Sequence, residues 1–123
     1  MGIPVSLFNS RKGVAFINPF QLQNLANNQV GFLLVNLTPE MDWSESLMPY
    51  KSICTSCSLD GLQNHLEEKM IDGAHPVVLI ADKERVSNKG FHKLDSTAFA
   101  NLYVVEGGWP AVERFLEGEE ISF

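Results

Sequence analysis

Two cysteines separated by two residues, in the segment Cys54-Thr55-Ser56-Cys57, form the pattern in this chain whose chemistry is easiest to name. A C-x2-C pair serves in redox exchange when it opens a helix, because the helix N-terminus lowers the pKa of a thiol and favours the nucleophilic thiolate. Ser58 follows the pair and predicts a helix start, since serine is a preferred N-cap residue. Cys54 and Cys57 are therefore candidate reactive thiols. The alternative is that Cys54 is a small buried hydrophobe and Cys57 a loop thiol without a role.

The other ligand-type residues do not extend this pair to a metal site. His65 and His75 follow Cys57 at spacings that match no compact zinc motif. The sequence also contains no Ser/His/Asp order and no glycine-rich phosphate loop. We therefore expect neither a metal nor a cofactor.

The composition of the chain excludes several functional classes. Fifteen Asp and Glu residues against nine Lys and Arg residues give a net charge of -6 over 123 residues. Such a balance disfavours contact with nucleic-acid phosphates and with anionic membrane surfaces. Two cysteines are too few for a disulfide scaffold, and no apolar run approaches the length of about 18 residues that a membrane span needs. We expect one cytoplasmic domain covering residues 1–123, with no nucleic-acid or membrane partner.

Apolar segments alternate with helix signals along the chain, which predicts an α/β domain. Continuous apolar runs are typical of strands buried on both faces. The alternation predicts a central, mostly parallel sheet of about five strands with helices on both faces. The predicted strands are Gly13–Ile17, Val30–Leu37, Lys51–Cys54, Val77–Ala81 and Asn101–Val105. The predicted helices start at Asn18, Ser58, Phe91 and Pro110, and Thr38–Tyr50 is predicted to be a long loop.

Function is expected at one edge of this sheet, because ligands of parallel sheets bind beyond the carboxyl ends of the strands. The loops concerned follow Leu37, Cys54, Ala81 and Val105. The first of them carries Trp43 among further apolar residues. These residues either cover the edge of the core or form an apolar patch for a partner.

The segment Asn101–Ala111, which reads NLYVVEGGWPA, resembles the C-terminal signature of the rhodanese-like domain family. Members of that family show a strand, then Glu-Gly-Gly-Trp, then a helix. Counting backwards without a gap, Ser87 matches the serine that closes the family's active loop, and Val77–Ile80 matches the strand that leads into it. Upstream, a looser similarity to the family's Ile-Asp-Val-Arg-Glu strand end places Asn36 at the usual Asp and Thr38 at the usual Arg.

The resemblance implies a three-layer α/β domain and, in active members, sulfurtransferase chemistry. In that chemistry a loop cysteine takes sulfur from a donor as a persulfide and passes it to an acceptor. The reaction needs a thiolate, together with backbone N–H groups and usually an arginine around the anion. The family's loop reads Cys-x-x-Gly-x-Arg-Ser. At these positions the present chain has, in order, Ala81, Asp82, Lys83, Glu84, Arg85, Val86 and Ser87.

This degenerate active loop lacks the nucleophile, since Ala81 stands at the cysteine position. Glu84 replaces the glycine and Val86 the arginine, although Arg85 is next to that position and has room to reach inward. We therefore predict a catalytically inactive rhodanese-like domain that acts as a binding or regulatory module for an unidentified protein partner. Lys83 and Arg85 keep open a small-anion site at the loop, and the alternative there is a solvated polar loop.

An enzymatic alternative stays open beside this prediction. In it the protein is a sulfurtransferase, a persulfide carrier or a thiol redox protein that uses Cys57 or Cys54 outside the usual loop. This alternative requires one of the two thiols to be exposed and acidic.

Overall fold

A computed structural model of the chain describes residues 9–11, 14–28, 31–69, 73–94 and 99–118. The strands are β1 (Asn9–Arg11), β2 (Val14–Ile17), β3 (Leu33–Asn36), β4 (Cys54–Ser56), β5 (Val77–Ile80) and β6 (Leu102–Val105). They form one sheet in the order β1-β2-β6-β5-β3-β4. The five strands β2 to β6 pair in parallel, and β1 pairs antiparallel with β2. The parallel sheet of five strands is confirmed, and β1 is an addition to it.

Helices cover both faces of this sheet. They are α1 (Pro19–Asn27), α2 (Met48–Lys51), α3 (Leu62–Glu68), α4 (Glu84–Leu94) and α5 (Gly108–Leu116), and a 3-10 turn (Glu45–Leu47) precedes α2. Apolar side chains of α1, α2 and α5 pack on one face, and those of α3 and α4 pack on the other. The predicted three-layer α/β architecture is therefore confirmed. Among the residues described, no helix is both long and apolar enough to cross a membrane.

Strand β5 shows why the strand segments read as unbroken apolar runs. All four of its side chains are buried. Val78 and Ile80 contribute to the core beneath α1 and α5, whereas Val77 and Leu79 contribute to the core beneath α3 and α4. Successive side chains of a strand point to opposite faces, so a strand covered on both faces needs apolar residues throughout.

The predicted start of α1 is confirmed in atomic detail. The side-chain oxygen of Asn18 accepts the N–H of Gln21 at 2.8 Å, and the side chain of Gln21 accepts the N–H of Asn18 at 2.7 Å. This reciprocal pair is a capping box, and Pro19 occupies the first helical position. Gly13 and Val30, which begin two of the predicted strands, lie outside the described residues.

Two predictions around the third parallel strand are wrong. The segment Thr38–Tyr50 is not a loop throughout, because it folds into the 3-10 turn and α2. Both Leu47 and Tyr50 are buried there, so packing against the rest of the fold stabilises these helical turns. The polar residues around them hide the helical pattern in the sequence. Lys51 closes α2, and the strand predicted as Lys51–Cys54 therefore starts only at Cys54.

Two predicted helix starts are also displaced. Ser58 does not cap α3 directly. Its hydroxyl oxygen accepts the N–H of Gly61 at 3.1 Å, which forms a separate turn before the helix begins at Leu62. In contrast, α4 begins at Glu84, well before the predicted Phe91. The polar residues at its start misled the sequence-based prediction because they lie on the outer side of a helix.

The turn between β6 and α5 brings backbone into close contact with the end of β5. Gly107 and Gly108 have φ values of +78° and +63°, a region that favours glycine. A Cβ atom on Gly108 would collide with the carbonyl oxygen of Ala81. The same oxygen accepts the N–H of Trp109 at 2.9 Å. The Gly-Gly-Trp sequence thus serves to join α5 to β5.

We expect Gly108→Ala to lower the free energy of unfolding by about 3 kcal/mol, because the new Cβ is strained in φ and also meets the Ala81 carbonyl. Gly118→Ala is the matched control. Gly118 also has a positive φ, of +85°, but among the described residues no atom beyond its chain neighbours lies within 4 Å of the position of its Cβ. It should therefore lose only about 1 kcal/mol. Denaturant unfolding of both variants measures the difference, and equal losses would contradict the close contact.

Candidate functional site

The segment that matches the family's active loop starts at the carboxyl end of β5. Ala81 is fully buried, and its methyl group belongs to the core beneath α3 and α4. Asp82 and Lys83 follow as exposed residues, and Glu84 begins α4. The position that the sequence resemblance assigns to the nucleophile therefore holds a buried methyl group.

Backbone N–H groups around this loop are bonded within the chain. The N–H of Asp82 donates to the hydroxyl oxygen of Thr38 at 2.9 Å. The N–H of Gly107, in the turn before α5, donates to a carboxylate oxygen of Glu84 at 2.9 Å. Together with the bond from Trp109 to Ala81, these contacts fasten the loop to β3 and to α5.

A buried amide lies next to the loop and connects three parts of the fold. Asn36, at the end of β3, has no exposed surface. Its Oδ1 accepts Trp109 Nε1–H and the Thr38 N–H, both at 2.9 Å. Its Nδ2 donates to the Thr38 carbonyl oxygen at 3.1 Å and to Ser56 Oγ at 3.2 Å. An aspartate accepts but does not donate when ionised, so the asparagine suits this mixed set of partners.

The next three residues of the loop differ in their surroundings. Arg85 is exposed on α4, and Val86 packs against the core beneath α3 and α4. Ser87 is fully buried, and its hydroxyl finds no hydrogen-bond partner among the described residues. The loop therefore shows an apolar side chain at the arginine position and a buried hydroxyl at the serine position.

The two cysteines lie on opposite faces of the sheet. Cys54 packs with the core beneath α1, α2 and α5, whereas Cys57 packs with the core beneath α3 and α4. Both are free and half-buried. A disulfide needs its two Cβ atoms about 4 Å apart, which side chains on opposite faces of a sheet do not reach without rearrangement. The expectation that this pair opens a helix is also wrong, since α3 begins only at Leu62.

The surroundings of both thiols disfavour the thiolate. Burial raises the pKa of Cys54, and this effect outweighs a hydrogen bond with Ser56 that lowers it. Burial likewise raises the pKa of Cys57. A raised pKa reduces the thiolate fraction at neutral pH and with it the rate of attack on a sulfur donor.

His65 has a structural partner in the edge strand. Its Nε2 lies 2.8 Å from Thr55 Oγ1, which links α3 to β4. Burial, followed by the nearby charge of Lys69, lowers the pKa of this imidazole. In the described part of the chain, no group of three or more His, Cys, Asp or Glu side chains is arranged to hold a metal ion.

Trp43 packs against the core edge. Its ring lies 5.0 Å from the ring of Trp109 in an edge-to-face arrangement, and Tyr50 contacts Trp109 from another side at 6.1 Å. Trp109 itself is 1% exposed. Of the two interpretations of the Trp43 loop, the structure favours cover for the core.

We expect both thiols to react slowly with a neutral maleimide at pH 7, because their raised pKa values leave little thiolate. The rate should reach half its maximum at a higher pH than for the same thiols in the denatured chain. Cys54→Ser and Cys57→Ser separate the two rates. A native thiol that reacts at pH 7 as fast as in denaturant would contradict the burial described here.

Solved structures of other proteins share this arrangement. The Alr3790 protein from Anabaena sp. matches with a TM-score of 0.65 at 10% identity, over 84% of this chain and 88% of that one. The solution structure of the rhodanese-like domain of the Alr3790 protein gives 0.64 at 9% identity, over 86% and 83%. The rhodanese homolog TT1651 from the extremely thermophilic bacterium Thermus thermophilus gives 0.56 at 20% identity, over 78% and 98%. No protein-family model and no curated protein matches the chain.

These similarities agree with the α/β fold described above. The matched regions cover most of this chain and most of each of the other chains, so the likeness concerns the whole arrangement and not a single motif. The chain therefore has the rhodanese-like fold.

Proposed function

We propose that this protein is a catalytically inactive rhodanese-like domain that acts as a binding or regulatory module. The observation that carries the proposal is the buried methyl group of Ala81 at the nucleophile position. A persulfide needs a thiolate, and neither Ala81 nor the exposed Asp82 supplies one. The bonds that Thr38 and Glu84 make to the surrounding N–H groups support the same interpretation, because they use donors that would otherwise face an anion.

A binding role draws support from the apolar surface. Three large apolar side chains, those of Phe20, Met48 and Ile53, are 46%, 47% and 49% exposed. An open cavity of about 300 Å³ lies beside Ile53, between α1 and α2. Exposed apolar surface of this kind is typical of protein contacts. A protein partner and a cytoplasmic location are parts of this proposal.

The alternative, sulfur carriage or redox exchange by Cys57 or Cys54, has less support. Both thiols are half-buried with raised pKa values, and their positions on opposite faces disfavour a direct dithiol pair in the native fold. The alternative therefore reduces to a single cysteine acting as a persulfide carrier.

We expect the wild-type protein to show no turnover above the protein-free rate in a cyanide:thiosulfate assay. An active rhodanese in the same assay serves as the positive control, and Cys54→Ser and Cys57→Ser are the matched variants. Turnover by the wild type would overturn the proposal. Loss of that turnover in one variant would assign it to that cysteine and favour the alternative.

A further inference from the structure

The contact between Glu84 and Gly107 crosses the degenerate loop. Glu84 is the first residue of α4, and Gly107 is the residue before α5. The carboxylate of Glu84 accepts the Gly107 N–H at 2.9 Å. A side chain at the start of α4 thus accepts a hydrogen bond from a backbone N–H group at the start of α5.

We propose that the Glu84 carboxylate occupies the place of an anionic ligand and closes the loop against small oxyanions. This inference rests on the proposed function, because it treats the segment from Ala81 to Ser87 as a former active loop. It adds a second feature to the loss of the nucleophile. Ala81 removes the reacting group, whereas Glu84 decides whether the loop is open or closed to an anion.

Two other N–H groups beside the loop are bonded to the protein itself. The Asp82 N–H is bonded to Thr38, and the Trp109 N–H is bonded to Ala81. The two acceptors, Thr38 Oγ1 and the Ala81 carbonyl oxygen, take part in contacts that hold the loop against β3 and α5. Thr38 Oγ1 and the Glu84 carboxylate are both side-chain acceptors, but Thr38 is also held through its backbone by the buried Asn36.

Two physical effects favour the carboxylate over a free anion. A hydrogen bond from an N–H group to a carboxylate is charge-assisted and therefore stronger than one to a neutral oxygen. The Gly107 N–H also belongs to the N-terminus of α5, where the helix dipole stabilises negative charge. Because Glu84 is tethered beside this donor, a free anion at millimolar concentration competes poorly with it.

The loop also keeps a polar group that the closing contact does not use. Ser87 lies one turn after Glu84 in α4, is fully buried, and has no hydrogen-bond partner for its hydroxyl within the described residues. Residues three apart lie on the same face of a helix, so this hydroxyl is on the side of α4 from which Glu84 reaches Gly107. Removal of Glu84 should therefore uncover an anion site and not simply leave an empty surface.

The test compares phosphate and thiosulfate titrations of four folded proteins at constant ionic strength. They are the wild type, Glu84→Ala, Glu84→Gln and Asp82→Ala, and the readout is the amide resonance of Gly107. We expect a saturable shift for Glu84→Ala, with a Kd on the order of 1–10 mM. Glu84→Gln should bind more weakly than Glu84→Ala, because its tethered amide oxygen still accepts the Gly107 N–H although it carries no charge. Asp82→Ala removes an exposed carboxylate of the same loop but keeps Glu84, so it should give no saturable shift.

Each contrary outcome has a definite meaning. If Glu84→Gln and Glu84→Ala bound the anion equally well, the charge of Glu84 would repel the anion and its side chain would not occupy the anion's place. Binding by the wild type would show that the loop is open to anions. Absence of binding by folded Glu84→Ala would likewise overturn the inference. If Glu84→Ala does not fold, Glu84→Ser offers the same removal of the carboxylate. Sulfur transfer by the wild type would overturn the proposed function instead, because all four proteins keep Ala81.

Discussion

The buried amide of Asn36 constrains the edge of the sheet at which an active site would lie. A buried polar group that loses its partner costs about 1–3 kcal/mol, so the four bonds of this side chain fix the atoms that make them. Those atoms belong to the backbone at Thr38, to Ser56 in β4 and to Trp109 in α5. The ends of two strands and the start of a helix are thereby held in one arrangement around the degenerate loop.

The contacts of the loop continue this arrangement. Thr38, positioned by Asn36, binds the Asp82 N–H, and Trp109 binds the Ala81 carbonyl oxygen. Gly108 permits this approach because it has no side chain to obstruct it. The groups at this edge of the sheet thus bond to one another. This arrangement supports the proposed binding module, as does the methyl group at Ala81.

Features with strong local signals could be predicted from the sequence. The buried strands β5 and β6 show unbroken apolar runs, the start of α1 carries a complete capping box, and the Gly-Gly-Trp sequence marks the turn into α5. The displaced boundaries have weaker signals. In α2, burial of Tyr50 by distant residues decides the structure, and in α4 charged residues on the outer face conceal the helix start.

The residues of the candidate site could be named from the sequence, but their contacts could not be predicted. The match of Ala81 to the nucleophile position depends on counting along the chain, which needs no structure. The bonds from Asp82 to Thr38 and from Gly107 to Glu84 join residues 44 and 23 positions apart, and no local pattern encodes them. The separation of the two cysteines had a usable signal, because residues three apart on an extended segment point to opposite faces. The mistaken helix start after Cys57 concealed it.

The most direct test of a non-catalytic domain is the intact mass of the protein after incubation with thiosulfate or a persulfide donor, with and without reductant. A cysteine persulfide forms when a thiolate takes the outer sulfur of thiosulfate and releases sulfite, so each event adds one sulfur atom. The account predicts an unchanged mass under both conditions. A gain of one sulfur atom that the reductant reverses would contradict it, since a cysteine outside the degenerate loop would then carry sulfur.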